Sequence, residues 1–323
     1  MKRIGNLYEK IISLDNLRLA DEKARRGKLR SYGVLLHDKN REANILALHE
    51  TLKNHTFKNS EYSTFTIYEP KERIIFRLPY YPDRILHHAI MNILEPIWVS
   101  VFTKDTYSCI KGRGIHGAMR NVKRAIKDRE NARYCLKIDI RKFYPSIDHD
   151  VLKTIIRRKI KCKDTLALLD TIIDSTDGVP IGNYLSQYFA NLMLAYFDHW
   201  IKEEKRVRNY FRYADDMVFL ASTKEELHIL LADIKKYLAA LKLTLKGNEQ
   251  IFPIAENRAD KHGRGLDFVG FVFYHNQTLM RKSIKQNFCR MAARLNKKLN
   301  ISARDYKQKL CSWLSLIHIS EPT

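Results

Sequence analysis

The sequence predicts an α+β fold, with helices concentrated at its N-terminal end and a sheet built from segments further along. Three observations carry this. Residues 1 to about 60 are charged and helix-prone, with Leu46, His49, Leu52 and Lys53 at helical spacing. Tyr134-Cys135-Leu136-Lys137-Ile138-Asp139-Ile140-Arg141 alternates: Tyr134, Leu136, Ile138 and Ile140 share one face, and Lys137, Asp139 and Arg141 the other. Two short apolar runs, Tyr210-Phe211 and Met217-Val218-Phe219-Leu220, flank Tyr213-Ala214-Asp215-Asp216, which predicts a hairpin with acids at its tip. With 323 residues and 45% apolar content the chain can bury the core of one large or two ordinary domains.

The remaining elements follow in order. Lys23-Ala24-Arg25-Arg26-Gly27-Lys28, with Arg30 close behind, is a basic cluster that reads equally as a solvated surface or as phosphate contact. Thr64–Tyr68 and Arg73–Leu78 are two strands joined by the turn Glu69-Pro70-Lys71-Glu72, forming a basic hairpin. From Asp83 to Phe102 the apolar spacing predicts a buried helix interrupted by Pro96. Gly112-Arg113-Gly114-Ile115-His116-Gly117 matches G-x-G-x-x-G, but no buried strand precedes it and Arg113 ill suits close approach to a dinucleotide, so it reads as a turn before a helix. A helix is expected from about Asp148 to Lys161. A second begins after the turn Gly178-Val179-Pro180-Ile181-Gly182 and places Ser186 and Gln187 in its first turns, and a third runs from Lys224 to Leu241. Phe268–Phe273 reads as a strand, and the chain from Arg281 onward as basic and helical.

Lys and Arg number 58 against 36 acids, a formal charge of +22, which favours a polyanionic partner. The basic residues are spread along the chain and no run approaches the roughly 20 apolar residues of a spanning helix, so nucleic acid is preferred to membrane. The basic start lacks an apolar signal core, and a cytoplasmic location is expected. Cys109, Cys135, Cys162, Cys289 and Cys311 are odd in number and form no C-x-x-C pair, which points to reduced structural thiols.

Three acids on strand-like elements, Asp139, Asp215 and Asp216, in so basic a chain point to phosphoryl transfer on nucleic acid by two divalent metals. Two Mg²⁺ ions take oxygen ligands and stabilise the attacking and leaving oxygens of an in-line displacement. Nuclease and polymerase both satisfy that chemistry. The flanking residues distinguish them, because from about Lys71 to Phe273 the ordered motifs resemble those of reverse transcriptases. Leu136-Lys137-Ile138-Asp139-Ile140-Arg141-Lys142-Phe143-Tyr144-Pro145-Ser146-Ile147 is similar to the first catalytic palm motif and Tyr213-Ala214-Asp215-Asp216 to the second.

The resemblance implies a right-hand polymerase fold: helical fingers with a basic hairpin (1–130), an antiparallel palm sheet (131–275, with a finger-like insertion at about 150–175) and a partial helical thumb (276–323). It assigns Asp139 and Asp215 to both metals with Asp216 in support, adds Ile140 to the ligands, and names Mg²⁺, with Mn²⁺ as a substitute. Tyr144 falls at the steric gate, where a flat ring under the sugar excludes a ribose 2′-hydroxyl; a core aromatic is the plainer reading of Phe143. Lys71 and Arg73, ranked above Arg77, with Asp83-Arg84-Ile85 beyond, resemble the fingers motifs whose cations hold the incoming triphosphate. Lys246 is the candidate proton donor to the leaving pyrophosphate, with Lys242 as alternative, and Asp267–Phe271 resembles the primer-grip hairpin.

One motif departs from the family. The usual Gln-Gly-x-x-x-Ser-Pro is here Ile181-Gly182-Asn183-Tyr184-Leu185-Ser186-Gln187, a form similar to the reverse transcriptases of diversity-generating retroelements. These copy a template RNA into cDNA from deoxynucleoside triphosphates, with errors at adenines, and work with a basic accessory protein. Loss of an amide at Ile181 removes a hydrogen-bonding handle beside the nascent pair, so relaxed fidelity is expected. A group II intron maturase is disfavoured because a long basic maturation domain would be expected to follow. A retron or antiviral reverse transcriptase is the runner-up, and a catalytically idle RNA-binding scaffold the alternative outside enzymes. Residues 314–323 resemble a translated sequencing-adapter tail, so the natural sequence is expected to be truncated near Trp313, which leaves the thumb incomplete, and the tail to pack poorly.

Overall fold

The computed structural model describes residues 3–68, 72–297, 302, 303, 305 and 307. The suspected tail lies outside them. Four helices open the chain, α1 (Tyr8–Ile12), α2 (Leu14–Ala24), α3 (Tyr32–Asp38) and α4 (Arg41–Lys53). Strands β1 (Ser63–Ile67) and β2 (Arg73–Arg77) pair antiparallel, and α5 (Ile85–Val99) and α6 (Gly114–Ile126) follow. Next come β3 (Tyr134–Asp139), α7 (His149–Arg157), α8 (Lys163–Ile173), α9 (Tyr184–Met193) and α10 (Ala195–His199). The rest comprises β4 (Asn209–Tyr213), β5 (Asp216–Ala221), α11 (Lys224–Ala240), β6 (Gln250–Pro253), β7 (Leu266–Phe268), β8 (Phe271–Phe273), β9 (Thr278–Met280) and α12 (Lys282–Asn296).

These elements form two compact units that interleave in sequence. The first draws on 1–104, 140–200 and 237–244, the second on 105–139, 201–236 and 245–323. In the first, α2 packs on α5, which buries Leu86, Ala89, Ile90 and Leu94 completely. Asn16 Nδ2 joins the two helices by donating to the carbonyls of Ile11 (2.8 Å) and Ala89 (3.0 Å). Helix α9 packs on α5 and α7. In the second unit, β4, β5, β3 and β6 form an antiparallel sheet in that order. One continuous core ties it to α6 and the β7–β8 hairpin through Met119, Val122, Cys135, Val218, Phe252, Phe268 and Phe271. Each such apolar side chain contributes about 1.5–3 kcal/mol on burial.

Four expectations are adjusted. Phe268–Phe273 is two strands, because Val269 (φ +45°) and Gly270 (φ +91°) form a two-residue turn that pairs Phe268 with Phe271. Helix α7 ends at Arg157, short of Lys161, because Ile160 leaves to bridge Ile4. Pro96 does not interrupt α5; it sits in the last turn, the helix runs on to Val99, and the Pro96 carbonyl accepts from the Ser100 N–H. Cys135 is fully buried, so only the Lys137–Asp139 end of the strand's polar face stays open. The glycine turn before α6 is as read: Gly112 and Gly114 take φ of +79° and +85°, and the Arg113 side chain turns back to the Thr106 carbonyl. No helix among the described residues is long and apolar enough to cross a membrane.

Candidate active site

Pairing of β3 with β5 sets Asp139 directly opposite Asp216, and pairing of β4 with β5 sets Tyr213 opposite Asp216. Asp215 occupies the hairpin tip between them. Ala214 turns the chain with a left-handed φ of +58°, a conformation that costs a non-glycine residue on the order of 1 kcal/mol. The completely buried Arg212 holds that turn: its Nη1 donates to the Ala214 carbonyl (3.1 Å) and its main-chain N–H to the Asp105 carbonyl (2.9 Å). Sequence reasoning overlooked Arg212. The signal was a cation inside the apolar run Tyr210-Phe211-Arg212-Tyr213.

Two lysines face the acids. Lys246 meets Asp139 Oδ2 at 3.2 Å, and its main-chain N–H donates to the Asp139 carbonyl at 2.9 Å, which fixes the backbone beneath the ammonium. Lys137 lies 3.3 Å from Asp216 Oδ2 and donates to the main-chain carbonyl of Asp267, whose side chain is in turn bound by Arg281. Asp216 Oδ1 remains buried with no partner. Burial and the Asp139 charge push the Asp215 carboxyl well above the ordinary value. Burial pushes Asp216 up to about 6, although Lys137 opposes it. Among the described residues no three His, Cys, Asp or Glu side chains converge closely enough to hold a metal ion. Two of the three acids, Asp139 and Asp216, are paired with lysines. Raised carboxyls and an orphaned buried oxygen are nevertheless what a cation-binding donor set presents, so the residues fit divalent metal.

The other predicted residues lie in the first unit. Arg73 opens β2 and is exposed; Lys71 lies outside the described residues. The Phe76 N–H donates to the Ile181 carbonyl (2.8 Å), tying the Ile181–Gln187 segment to the strand that carries Arg73. Gly182 has φ +122°, and a Cβ there would stand 2.4 Å from the Phe76 carbonyl oxygen, so only glycine permits this approach. Ser186 is buried in α9, Gln187 is exposed and Ile181 half-buried. Phe143 is core, whereas Tyr144 is half-buried. Tyr144 accepts the Val179 N–H (2.9 Å) at its carbonyl. Ile140 has a buried apolar side chain, so its main-chain carbonyl is the one ligand it offers. Lys242 pairs with Asp148 (2.7 Å), the residue that caps α7.

A mixed helical and sheet chain with acids on adjacent antiparallel strands has the right-hand polymerase fold. The apo telomerase from Candida tropicalis shares this fold, with a TM-score of 0.51 at 13% identity over 81% of this chain and 58% of that one. The chain belongs to the family described as reverse transcriptase (RNA-dependent DNA polymerase), which matches residues 66–248, and it is an RNA-directed DNA polymerase by that membership. It is 24% identical over 303 residues to Protein YkfC of Escherichia coli K12, covering 79% of this chain and 75% of that protein. It is 25% identical over 214 residues to the retron Ec73 reverse transcriptase of E. coli, covering 58% and 59%. With the group II intron-encoded protein LtrA of Lactococcus lactis it shares 27% over 139 residues, 40% of this chain and 23% of LtrA. It therefore spans under two thirds of the retron and intron proteins.

Proposed function

We propose that this domain makes cDNA on an RNA template with low fidelity, in the manner of a diversity-generating retroelement enzyme. The observation that carries the polymerase chemistry is the register of Asp139 against Asp216, with Asp215 at the adjoining tip and Lys246 on Asp139. Asp139, Asp215, Asp216 and the Ile140 carbonyl would hold two Mg²⁺ ions, which stabilise the attacking and leaving oxygens of the displacement. Lys246 gives its proton to the departing pyrophosphate and is reprotonated from solvent. Arg73 and Lys71 hold the triphosphate of the incoming deoxynucleotide, and the Tyr144 ring rejects a ribose 2′-hydroxyl. The fingers, palm and thumb divisions at 1–130, 131–275 and 276–323 belong to the same reading, as does a basic accessory protein that helps grip the RNA.

Low fidelity rests on Ile181, Gly182, Ser186 and Gln187. Because the Ile181 carbonyl is engaged by Phe76, its side chain can change without moving the backbone. Ile181→Gln is expected to lower misincorporation opposite template adenine by about tenfold, measured by sequencing products made on a defined RNA. Equal error rates in the two enzymes would refute the reading. The likeness to a retron enzyme over 214 residues favours a second reading, retron-type synthesis or defence. Flanking DNA separates the two: a pair of repeats differing at adenines belongs only to the retroelement.

A further inference from the structure

Polymerisation leaves one sequence feature unused, the basic cluster from Lys23 to Arg30, and the structure divides it. Lys23 Nζ meets Asn92 Oδ1 at 2.6 Å, and Arg25 is bound between Asp21 and Asp38. Lys28 has another setting. With Arg77 and Arg84 it lines a cavity of about 260 Å³, whose walls also carry Tyr32, Tyr80 and Tyr81.

None of these three cations has a carboxylate partner among the described residues. They do act on one another. Burial and then the Arg84 charge lower Lys28, while burial and then the Arg77 charge lower Arg84. Like charges gathered in a concave, partly desolvated space cost free energy, which a bound anion would recover. The cavity's rings add a second feature. Tyr32 is 79% exposed and offers a flat face; Tyr81 is half-buried with one face stacked on His37 (centroids 5.6 Å apart), which leaves its other face to a ligand, whereas the Tyr80 hydroxyl is committed to Asp21.

We propose that this cavity binds a nucleotide by its terminal 5′-phosphate, held by Lys28, Arg77 and Arg84, with the base stacked against Tyr32 and Tyr81. Charge selects the terminal group. A phosphomonoester carries about −1.5 to −2 at neutral pH against −1 for a phosphodiester, the better match to three cations. The volume suits one nucleotide. Two sources share this chemistry, a free nucleotide and the 5′-phosphorylated end of an RNA strand.

Calorimetric titration of the full chain in EDTA tests the proposal with adenosine 5′-monophosphate, adenosine, and one RNA hexamer carrying either a 5′-phosphate or a 5′-hydroxyl. The phosphorylated member of at least one pair is expected to bind more tightly. Lys28→Met should weaken that binding by about tenfold and Tyr32→Ala by about threefold to tenfold, each with an unchanged melting temperature. A preference shown by the mononucleotide identifies a free-nucleotide site; one confined to the hexamer identifies an RNA-end site. Equal binding with and without the 5′-phosphate in both pairs, or a preference that Lys28→Met leaves intact, would overturn it.

Discussion

Asp215→Asn is expected to reduce RNA-templated deoxynucleotide incorporation by about 10³–10⁴-fold while leaving RNA affinity within a factor of about two. On the proposed function the two effects separate, because the carboxylate would serve the reacting phosphates, whereas the cations spread over a chain of net charge +22 would hold the RNA. The substitution should also leave the fold at least as stable as wild type when metal is chelated. The sign follows from the raised carboxyl: Asp215 titrates above its unfolded value, so ionising it at neutral pH costs folding free energy, and an amide removes that cost. A melting temperature in EDTA equal to or above wild type, alongside lost primer extension and retained RNA binding, is therefore the expected pattern. Activity within tenfold of wild type would remove Asp215 from the chemistry. A lower melting temperature with lost RNA binding would make the residue structural.

Parts of this site were legible because they are local. Alternation through Tyr134–Arg141 and the acids between two apolar runs need only a period of two, and both place their carboxylates correctly on strand ends. The register was not legible. Asp139 faces Asp216 across 77 positions of chain, and the strand order β4-β5-β3-β6 follows from side-chain packing that no window of sequence contains. The β7–β8 turn was missed because Val269-Gly270 sits inside six residues that are otherwise apolar, and the left-handed φ that breaks the run is invisible in composition. Charged residues misled in the opposite direction. Asp21 lies in a charged helix that reads as surface, yet Leu17, Ala20, Asp21 and Ala24 share the i, i+3, i+4, i+7 stripe, and all four are buried. The acid on the apolar stripe was the available sign of a buried ion-pair network.

That network carries the other large effect: Asp21→Asn is expected to destabilise the protein by about 3–5 kcal/mol at pH 7. Asp21 is completely buried and accepts from Arg25 Nη2 (2.9 Å), Arg41 Nε (2.6 Å) and the Tyr80 hydroxyl (2.5 Å), joining α2, α4 and the segment before α5. Asn44 donates to His37 Nδ1, which leaves the ring N–H on Nε2, 3.5 Å from Asp21 Oδ1. Burial lowers His37, so the ring is neutral at pH 7 and cannot replace either arginine. An asparagine keeps the shape but removes the charge, and Arg25 is then left with Asp38 alone. Burial by itself would raise the Asp21 carboxyl; the Tyr80, Arg25 and Arg41 hydrogen bonds outweigh it and hold the group below the ordinary value. Its contribution is therefore fully present above the unfolded carboxylate pKa of about 3.9 and is lost as pH falls through the lower folded value. The gap between wild type and variant in guanidinium unfolding should stay constant from pH 7 to about pH 5 and close below about pH 4. Asp38→Asn, whose carboxylate is 38% exposed, should cost under about 1 kcal/mol. An Asp21 variant as mild as the Asp38 one, or a gap that widens on acidification, would show that the buried charge does not hold these helices together.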